Sequence, residues 1–140
     1  MMNREKIPTD LMLKKFMYET RVLIVDSNFT YRVALKQAMF SFGANPGNVH
    51  VARNLIEARE IMQDFQPQII FSDLLLDDGA GTDLLNDQKL KSVLILLCSV
   101  FPEDTLVSGK KMGVNQYIYK PCSQIQIRDT LRNVMQKNWS

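Results

Sequence analysis

Five short apolar runs rich in β-branched residues divide the chain, and each is bounded by polar or turn-forming residues. Most of these runs are apolar at successive positions rather than at alternate ones, as expected of parallel strands that are covered on both faces. The pattern predicts five strands, at residues 21–26, 48–52, 68–73, 92–98 and 116–119.

The segments between these strands carry the spacing of amphipathic helices. Apolar side chains recur at i, i+3, i+4 and i+7 over residues 58–65, and a similar stripe covers residues 31–42. A short third helix is predicted over residues 82–86 or a little beyond, a fourth near residues 103–112, and a fifth over residues 127–135. Strands that alternate with helices predict an α/β fold with right-handed crossovers.

Residues 1–20 are interpreted as an N-terminal extension, and residues 21–140 as one globular domain. Residues 8–10, with the sequence Pro-Thr-Asp, are typical of a helix start. The helix would carry three apolar side chains on one face, at Leu13, Phe16 and Met17. We expect the extension to pack on its own domain or to fray, rather than to serve as a helix dedicated to a partner.

Composition narrows the class of protein. A chain of 140 residues with 46% apolar and 23% charged residues can form one full hydrophobic core. The longest apolar run, residues 93–98, is far shorter than the roughly 18–20 residues of a membrane span, so no membrane association is expected. Two cysteines and no recognisable leader predict a cytoplasmic protein, and a formal net charge of +2 carries no signature of nucleic-acid binding.

Polar residues stand at the carboxyl ends of four predicted strands. Asp26 ends the first strand, Asp73 the third, Cys98 and Ser99 the fourth, and Lys120 follows the fifth. Because an open parallel sheet binds ligands outside the carboxyl ends of its strands, we expect these side chains to converge in one crevice. Two carboxylates, a thiol or hydroxyl and an ammonium group suit a divalent cation and a phosphoryl group.

At these motifs the sequence resembles the receiver domain of bacterial two-component response regulators, over about residues 21–137. Three segments carry the resemblance: Arg-Val-Leu-Ile-Val-Asp at 21–26, Ile-Ile-Phe-Ser-Asp at 69–73 with Gly81 eight residues later, and Tyr-Ile-Tyr-Lys-Pro at 117–121. The resemblance implies a flavodoxin-like, doubly wound five-stranded parallel sheet with the order 2-1-3-4-5 and helices on both faces.

By the same resemblance, Asp73 is the phosphoacceptor for a histidine kinase, a phosphotransfer protein or a small phosphodonor. Asp26, Asp73 and the backbone carbonyl of Leu75 would hold Mg²⁺, and Lys120 would pair with the phosphoryl oxygens. Tyr117 matches the aromatic residue that switches position in the family. The bond from Lys120 to the following proline resembles the family's cis peptide.

Two residues depart from the family's pattern. Ser27 stands in place of a second acid, which removes a negative charge and weakens the expected affinity for Mg²⁺. Cys98 stands in place of a threonine or serine, and a thiol donates a weaker hydrogen bond, although Ser99 could replace it if the strand ends or twists there. Asp77 and Asp78 could restore negative potential, but we interpret them as solvated loop acids.

The sequence therefore supports a phosphorylated switch domain, not an enzyme beyond its own phosphorylation and autodephosphorylation. The alternative is a pseudo-receiver that binds partners without phosphorylation, because Ser27 and Cys98 weaken the site. A haloacid-dehalogenase-like phosphatase is disfavoured, since Leu75 stands where that family needs a second acid. Expected partners are the kinase or phosphotransfer protein, a downstream protein or a missing output domain, and a second copy paired through the fourth and fifth helices and the fifth strand.

Overall fold

The computed structural model describes residues 9–86, 91–99 and 115–139. Five parallel strands form one sheet in the order β2-β1-β3-β4-β5, so the predicted flavodoxin-like topology is confirmed. The strands are β1 (Val22–Val25), β2 (Val49–Ala52), β3 (Ile69–Asp73), β4 (Val93–Cys98) and β5 (Gln116–Tyr119). The order reverses between β1 and β3, which places a switch point of the sheet at their carboxyl ends.

The first four strands begin one residue later than the apolar pattern predicts. Before β2, the predicted strand residue Asn48 belongs instead to a 3-10 turn, Pro46–Asn48. The Asn45 side chain caps this turn by accepting the Gly47 N–H at 3.1 Å. This local polar contact ends the extended conformation before the apolar run begins, so the strand starts only at Val49.

Helices cover both faces of the sheet: α1 (Thr9–Glu19), α2 (Phe29–Ser41), α3 (Leu55–Asp64) and a C-terminal helix (Gln124–Trp139). The predicted third helix is a 3-10 helix over Gly81–Asn86 within the described residues, and the predicted fourth helix lies outside them. Across the described ranges, no helix combines the length and the apolar character that crossing a membrane requires.

Each face of the sheet has its own hydrophobic cluster. Because side chains alternate along a strand, Val22 and Ile24 lie in one cluster and Leu23 and Val25 in the other. The first cluster includes residues of α1, α2 and the C-terminal helix, and the second includes residues of α3 and the 3-10 helix Gly81–Asn86. Burial on both faces explains why the strands are apolar at successive positions.

Helix α1 contributes to the first cluster through Leu13 and Met17, both of which are buried. The loop after α2 lies close against this helix: a Cβ atom on Gly43 would fall 2.8 Å from the Lys14 Cα, and Gly43 has a φ of +107°. Only glycine meets both conditions without strain. An ion pair between Asp10 and Arg132 joins α1 to the C-terminal helix, so α1 packs as part of the same unit as the sheet.

We predict that Met17→Ala lowers the free energy of unfolding by about 2–4 kcal/mol, because it leaves a cavity in a fully buried site. Met12→Ala is the matched control on the same helix, where the side chain is exposed, and should change it by less than about 0.5 kcal/mol. Urea denaturation of the full chain measures both. Equal effects of the two substitutions would mean that α1 does not belong to the core.

Candidate functional site

Three charged side chains meet at the switch point. Lys120 Nζ lies 2.6 Å from Asp26 Oδ2 and 3.2 Å from Asp73 Oδ2. Asp26 is fully buried, and the side chains of Lys120 and Asp73 are only 7% and 16% exposed. The structure therefore brings together the two strand-final carboxylates and the ammonium group that the sequence singled out.

Strand register produces this convergence. β1 and β3 are hydrogen-bonded neighbours, with Val25 opposite Ser72, so the residues that follow these two positions emerge side by side. At the far side of β4, the backbone N–H of Lys120 donates to the Cys98 carbonyl at 2.7 Å. This hydrogen bond continues the pairing of β5 with β4. The peptide bond between Lys120 and Pro121 is cis, as predicted.

The two carboxylates stabilise the charged form of Lys120. Burial lowers the pKa of Lys120, but the hydrogen bond and charge of Asp26, together with Asp73, outweigh burial and raise that pKa above its usual value. The side chain therefore stays an ammonium ion at neutral pH. Two carboxylates and one ammonium leave the group with one formal negative charge, which suits the binding of a further cation.

The start of α2 is built around Asp26. The Asn28 N–H donates to Asp26 Oδ1 at 2.8 Å, and Asn28 Oδ1 accepts the Tyr31 N–H at 3.1 Å as the helix cap. The Arg32 guanidinium donates to the Asp26 carbonyl at 2.7 Å. Backbone and side chain of Asp26 are thus both held by the first turn of the helix.

Tyr31 is a site residue that sequence reasoning missed. Periodicity assigned it to the apolar stripe of a helix, but its ring centroid lies 4.1 Å from Lys120 Nζ. The detectable signal was an aromatic residue in the first helical turn after a strand-final acid, Asp26. Helical periodicity cannot show whether such a residue faces the core or the end of the sheet.

The remaining candidate site residues, Cys98, Ser99 and Tyr117, differ in their exposure. Cys98 is fully buried, and Tyr117 packs against the same cluster. Burial and the Asp73 charge raise the pKa of the Cys98 thiol, against a smaller lowering by Lys120, and a raised pKa favours the neutral thiol. Ser99 follows the strand and is exposed. Burial also raises the pKa of Tyr117.

The other two residues predicted to contribute metal ligands are both exposed. Ser27 is exposed beside Asp26. Leu75 is exposed in the first strand of a short antiparallel ribbon, Leu75–Leu76 with Gly79–Ala80. Its N–H lies 3.5 Å from Asp73 Oδ1, which places the backbone of Leu75 directly next to the carboxylate.

Asp78 is exposed, as expected of a solvated loop acid, and it also has a structural role. Its two carboxylate oxygens accept the N–H groups of Leu55 and Ile56, at 2.9 and 3.0 Å, and so cap α3 from another part of the chain. These backbone hydrogen bonds lower the pKa of Asp78. Asp78 ties the loop after β3 to α3 rather than adding charge to the site.

Gly81 permits the loop to return closely to the end of β3. Its N–H donates to the Leu74 carbonyl at 2.8 Å. A Cβ atom at this position would lie 2.4 Å from the Asp73 carbonyl oxygen and 2.7 Å from Ser72 Oγ. Close backbone approach therefore explains a glycine eight residues after Asp73.

Comparison with known proteins identifies the family of this chain. The family model of the response regulator receiver domain matches residues 22–132. The chain belongs to this family. Receiver domains are signalling domains. The fold of this one resembles that of a two-component response regulator from Clostridium difficile, with a TM-score of 0.79 at 18% sequence identity. The match covers 87% of this chain and 100% of the other. A CheY-like receiver domain from Methanospirillum hungatei gives a TM-score of 0.76 at 21% identity, with 84% and 94% covered.

Curated relatives of this receiver domain are longer proteins. The transcriptional regulatory protein HptR of Staphylococcus aureus is 26% identical over 108 residues, which cover 76% of this chain and 43% of that protein. A response regulatory protein of Staphylococcus epidermidis is 27% identical over 118 residues, covering 84% and 47%. The chain thus spans less than half the length of these relatives.

Receiver domains generally bind Mg²⁺ at the phosphorylation site, and the donor atoms here fit such an ion in part. Asp26 Oδ2 and Asp73 Oδ2 both accept from the Lys120 ammonium, which shows that the two carboxylates lie close together. Because the ammonium occupies the position between these two oxygens, an ion would be held by the remaining lone pairs of the carboxylates. Carboxylate oxygens are suitable ligands for Mg²⁺. Within the described residues, no cluster of three or more histidine, cysteine or acidic side chains is placed to hold a metal.

We predict that Gly81→Ala lowers the free energy of unfolding of this receiver domain by about 1–3 kcal/mol, because the added methyl group collides with the Asp73 backbone. Gly47→Ala is the control, since the nearest heavy atom to its Cβ lies 3.7 Å away, and it should be neutral or slightly stabilising. Urea denaturation distinguishes them. A Gly81→Ala protein as stable as the parent chain would contradict the close approach.

Proposed function

We propose that this receiver domain accepts a phosphoryl group on Asp73 from a histidine kinase or a phosphotransfer protein and thereby changes a protein-binding surface. The observation that carries the proposal is the position of the Asp73 carboxylate, 3.2 Å from the Lys120 ammonium and beside the buried Asp26. Asp73 is also the partly exposed member of the two carboxylates, so a donor can reach it.

In the proposed transfer, a carboxylate oxygen of Asp73 forms a bond to phosphorus. The bond from phosphorus to the donor's imidazole nitrogen breaks, and its electron pair leaves with the donor. The Lys120 ammonium would stabilise the negative charge on the phosphoryl oxygens. Mg²⁺ held by Asp26, Asp73, water and the Leu75 carbonyl would supply further charge neutralisation, with Ser27 as a weak, neutral ligand.

Exposed apolar side chains that follow the site residues in the chain support a protein as the donor. Phe29, Leu75 and Ile125 are all more than half exposed, and they follow Asp26, Asp73 and Lys120 by a few residues each. We propose that they contact the kinase or phosphotransfer protein, so that its phosphohistidine approaches Asp73. Such a transfer takes place in the cytoplasm.

For the output, we propose that Cys98, Ser99 and Tyr117 relay the added charge to the surface at β5. Cys98 lies opposite Tyr119 in the pairing of β4 with β5, and Tyr117 packs beside Cys98 in the second cluster. A solved dimer of the beryllofluoride-activated NtrC4 receiver domain has the same fold, with a TM-score of 0.74 at 23% identity. The surface at β5 would thus serve a second copy, a downstream protein or an output domain.

The pseudo-receiver is the second candidate function, and the observation that favours it is the pair of substitutions at Ser27 and Cys98. Against it stands Asp73, whose partly exposed carboxylate contacts Lys120 and which a phosphorylation-independent binding module does not need. We therefore prefer the phosphorylated switch.

We expect one phosphoryl group to be added when the chain is incubated with acetyl phosphate and Mg²⁺, as measured by intact mass. Asp73→Asn should abolish the addition, because an amide oxygen is a poor nucleophile. Asp77→Asn is the matched control, since Asp77 is an exposed acid in the loop that follows. Failure of the parent chain to gain mass at high Mg²⁺ would favour the pseudo-receiver, and addition to Asp73→Asn would place the phosphoacceptor elsewhere.

Ser27→Asp should increase the affinity for Mg²⁺ by about tenfold, because it adds a negative charge next to the two carboxylates. Isothermal titration calorimetry measures this without any phosphorylation. Ser41→Asp adds the same charge at the opposite end of α2 and should leave the affinity unchanged. Equal affinities for Ser27→Asp and Ser41→Asp would show that the ion does not bind beside Ser27.

A further inference from the structure

The Tyr31 ring completes the surroundings of the Lys120 ammonium. An ammonium group has three N–H donors. Two are directed to Asp26 Oδ2 and Asp73 Oδ2, and the ring centroid of Tyr31 lies 4.1 Å from the nitrogen as a third partner. We propose that Tyr31 is a positioning residue that holds the Lys120 ammonium in place for phosphoryl transfer, an inference that rests on the function proposed above.

The position of the ring is linked to the site through the backbone. Asn28 Oδ1 accepts the Tyr31 N–H, and the Asn28 N–H donates to Asp26 Oδ1. Lys120 then connects Tyr31 back to Asp26 Oδ2. These contacts form a closed circuit of four residues, so the same carboxylate that binds the ammonium also fixes the helical turn that carries the ring.

The ring matters most when the charge at Asp73 is rearranged. In the resting site, one N–H of the Lys120 ammonium donates to Asp73 Oδ2. When a phosphoryl group joins Asp73, this N–H is the one placed to donate to a phosphoryl oxygen instead. The contacts with Asp26 and Tyr31 remain as the two anchors of the ammonium. An aromatic face attracts a partly desolvated ammonium and adds no net charge that would repel the incoming phosphoryl group.

A purely structural role for Tyr31 makes a different prediction. If the ring only fills space, leucine should support phosphoryl transfer about as well as phenylalanine, provided that both variants fold. If the aromatic face holds the ammonium, phenylalanine should replace tyrosine and leucine should not. The phenol hydroxyl is not required by the geometry, because the contact is between Lys120 Nζ and the ring.

The experiment measures the rate of phosphorylation of the full chain by acetyl phosphate, followed by intact mass. Tyr31→Leu should slow the rate by about tenfold, and Tyr31→Phe should stay within about twofold of the parent chain. Tyr18→Leu makes the same replacement at an exposed tyrosine of α1 and serves as the control. Thermal unfolding of each variant establishes that it is folded.

A second measurement tests the contact without phosphorylation. By NMR, the ε-methylene protons of Lys120 should be shifted upfield by the ring current in the parent chain and in Tyr31→Phe, and this shift should disappear in Tyr31→Leu. Absence of the shift in the parent chain would overturn the proposal, even if Tyr31→Leu fails to fold.

The outcomes separate the two proposals. Equal rates for Tyr31→Leu and the parent chain, or a Tyr31→Phe variant as slow as Tyr31→Leu, would overturn the positioning role and leave the receiver function standing. A parent chain that shows the ring-current shift but gains no phosphoryl group would overturn the receiver function, and with it any role of Tyr31 in transfer.

Discussion

The buried carboxylate of Asp26 is the constraint on which the site depends. A fully buried anion is strongly destabilising unless it is paired and hydrogen-bonded. Lys120, which lies 94 residues away in the chain, supplies the pair, and the Asn28 N–H supplies a hydrogen bond. Removing one partner of such a pair costs about 3–5 kcal/mol, so the two ends of the receiver are held together at this point.

The sheet topology makes the pairing of Asp26 with Lys120 possible. β1 and β5 are separated by β3 and β4, yet Lys120 spans the end of β3 to reach Asp26 and contacts Asp73 on the way. The phosphoacceptor candidate is therefore held between two groups that the fold already needs for its own stability. Any change of charge at Asp73 must alter the balance between Lys120 and Asp26, which gives the site a physical means of influencing β5.

The strand-final residues Asp26, Asp73 and Lys120 could be predicted from the sequence, because parallel strands deliver their carboxyl ends to one edge. The roles of Tyr31 and Asp78 could not. Whether the first turn of a helix faces the core or the end of a strand depends on the cap geometry at Asn28, and apolar periodicity carries no information about it. The contact of Asp78 with α3 joins segments 23 residues apart, and only the folded ribbon brings them together.

The charge of the site gives Ser27 a physical meaning. With a second acid in place of Ser27, the resting group would carry two formal negative charges, and a metal ion would be needed to offset them. With Ser27, the two carboxylates are offset in part by Lys120 alone, and one negative charge remains.

A phosphoryl group carries a charge of about −1.5 to −2 near neutral pH and replaces the single charge of the Asp73 carboxylate. Because Lys120 is the cation already in contact with Asp73, its exact placement matters more here than in a site with a second acid and a tightly bound metal. The aromatic contact from Tyr31 acts on that placement without changing the charge.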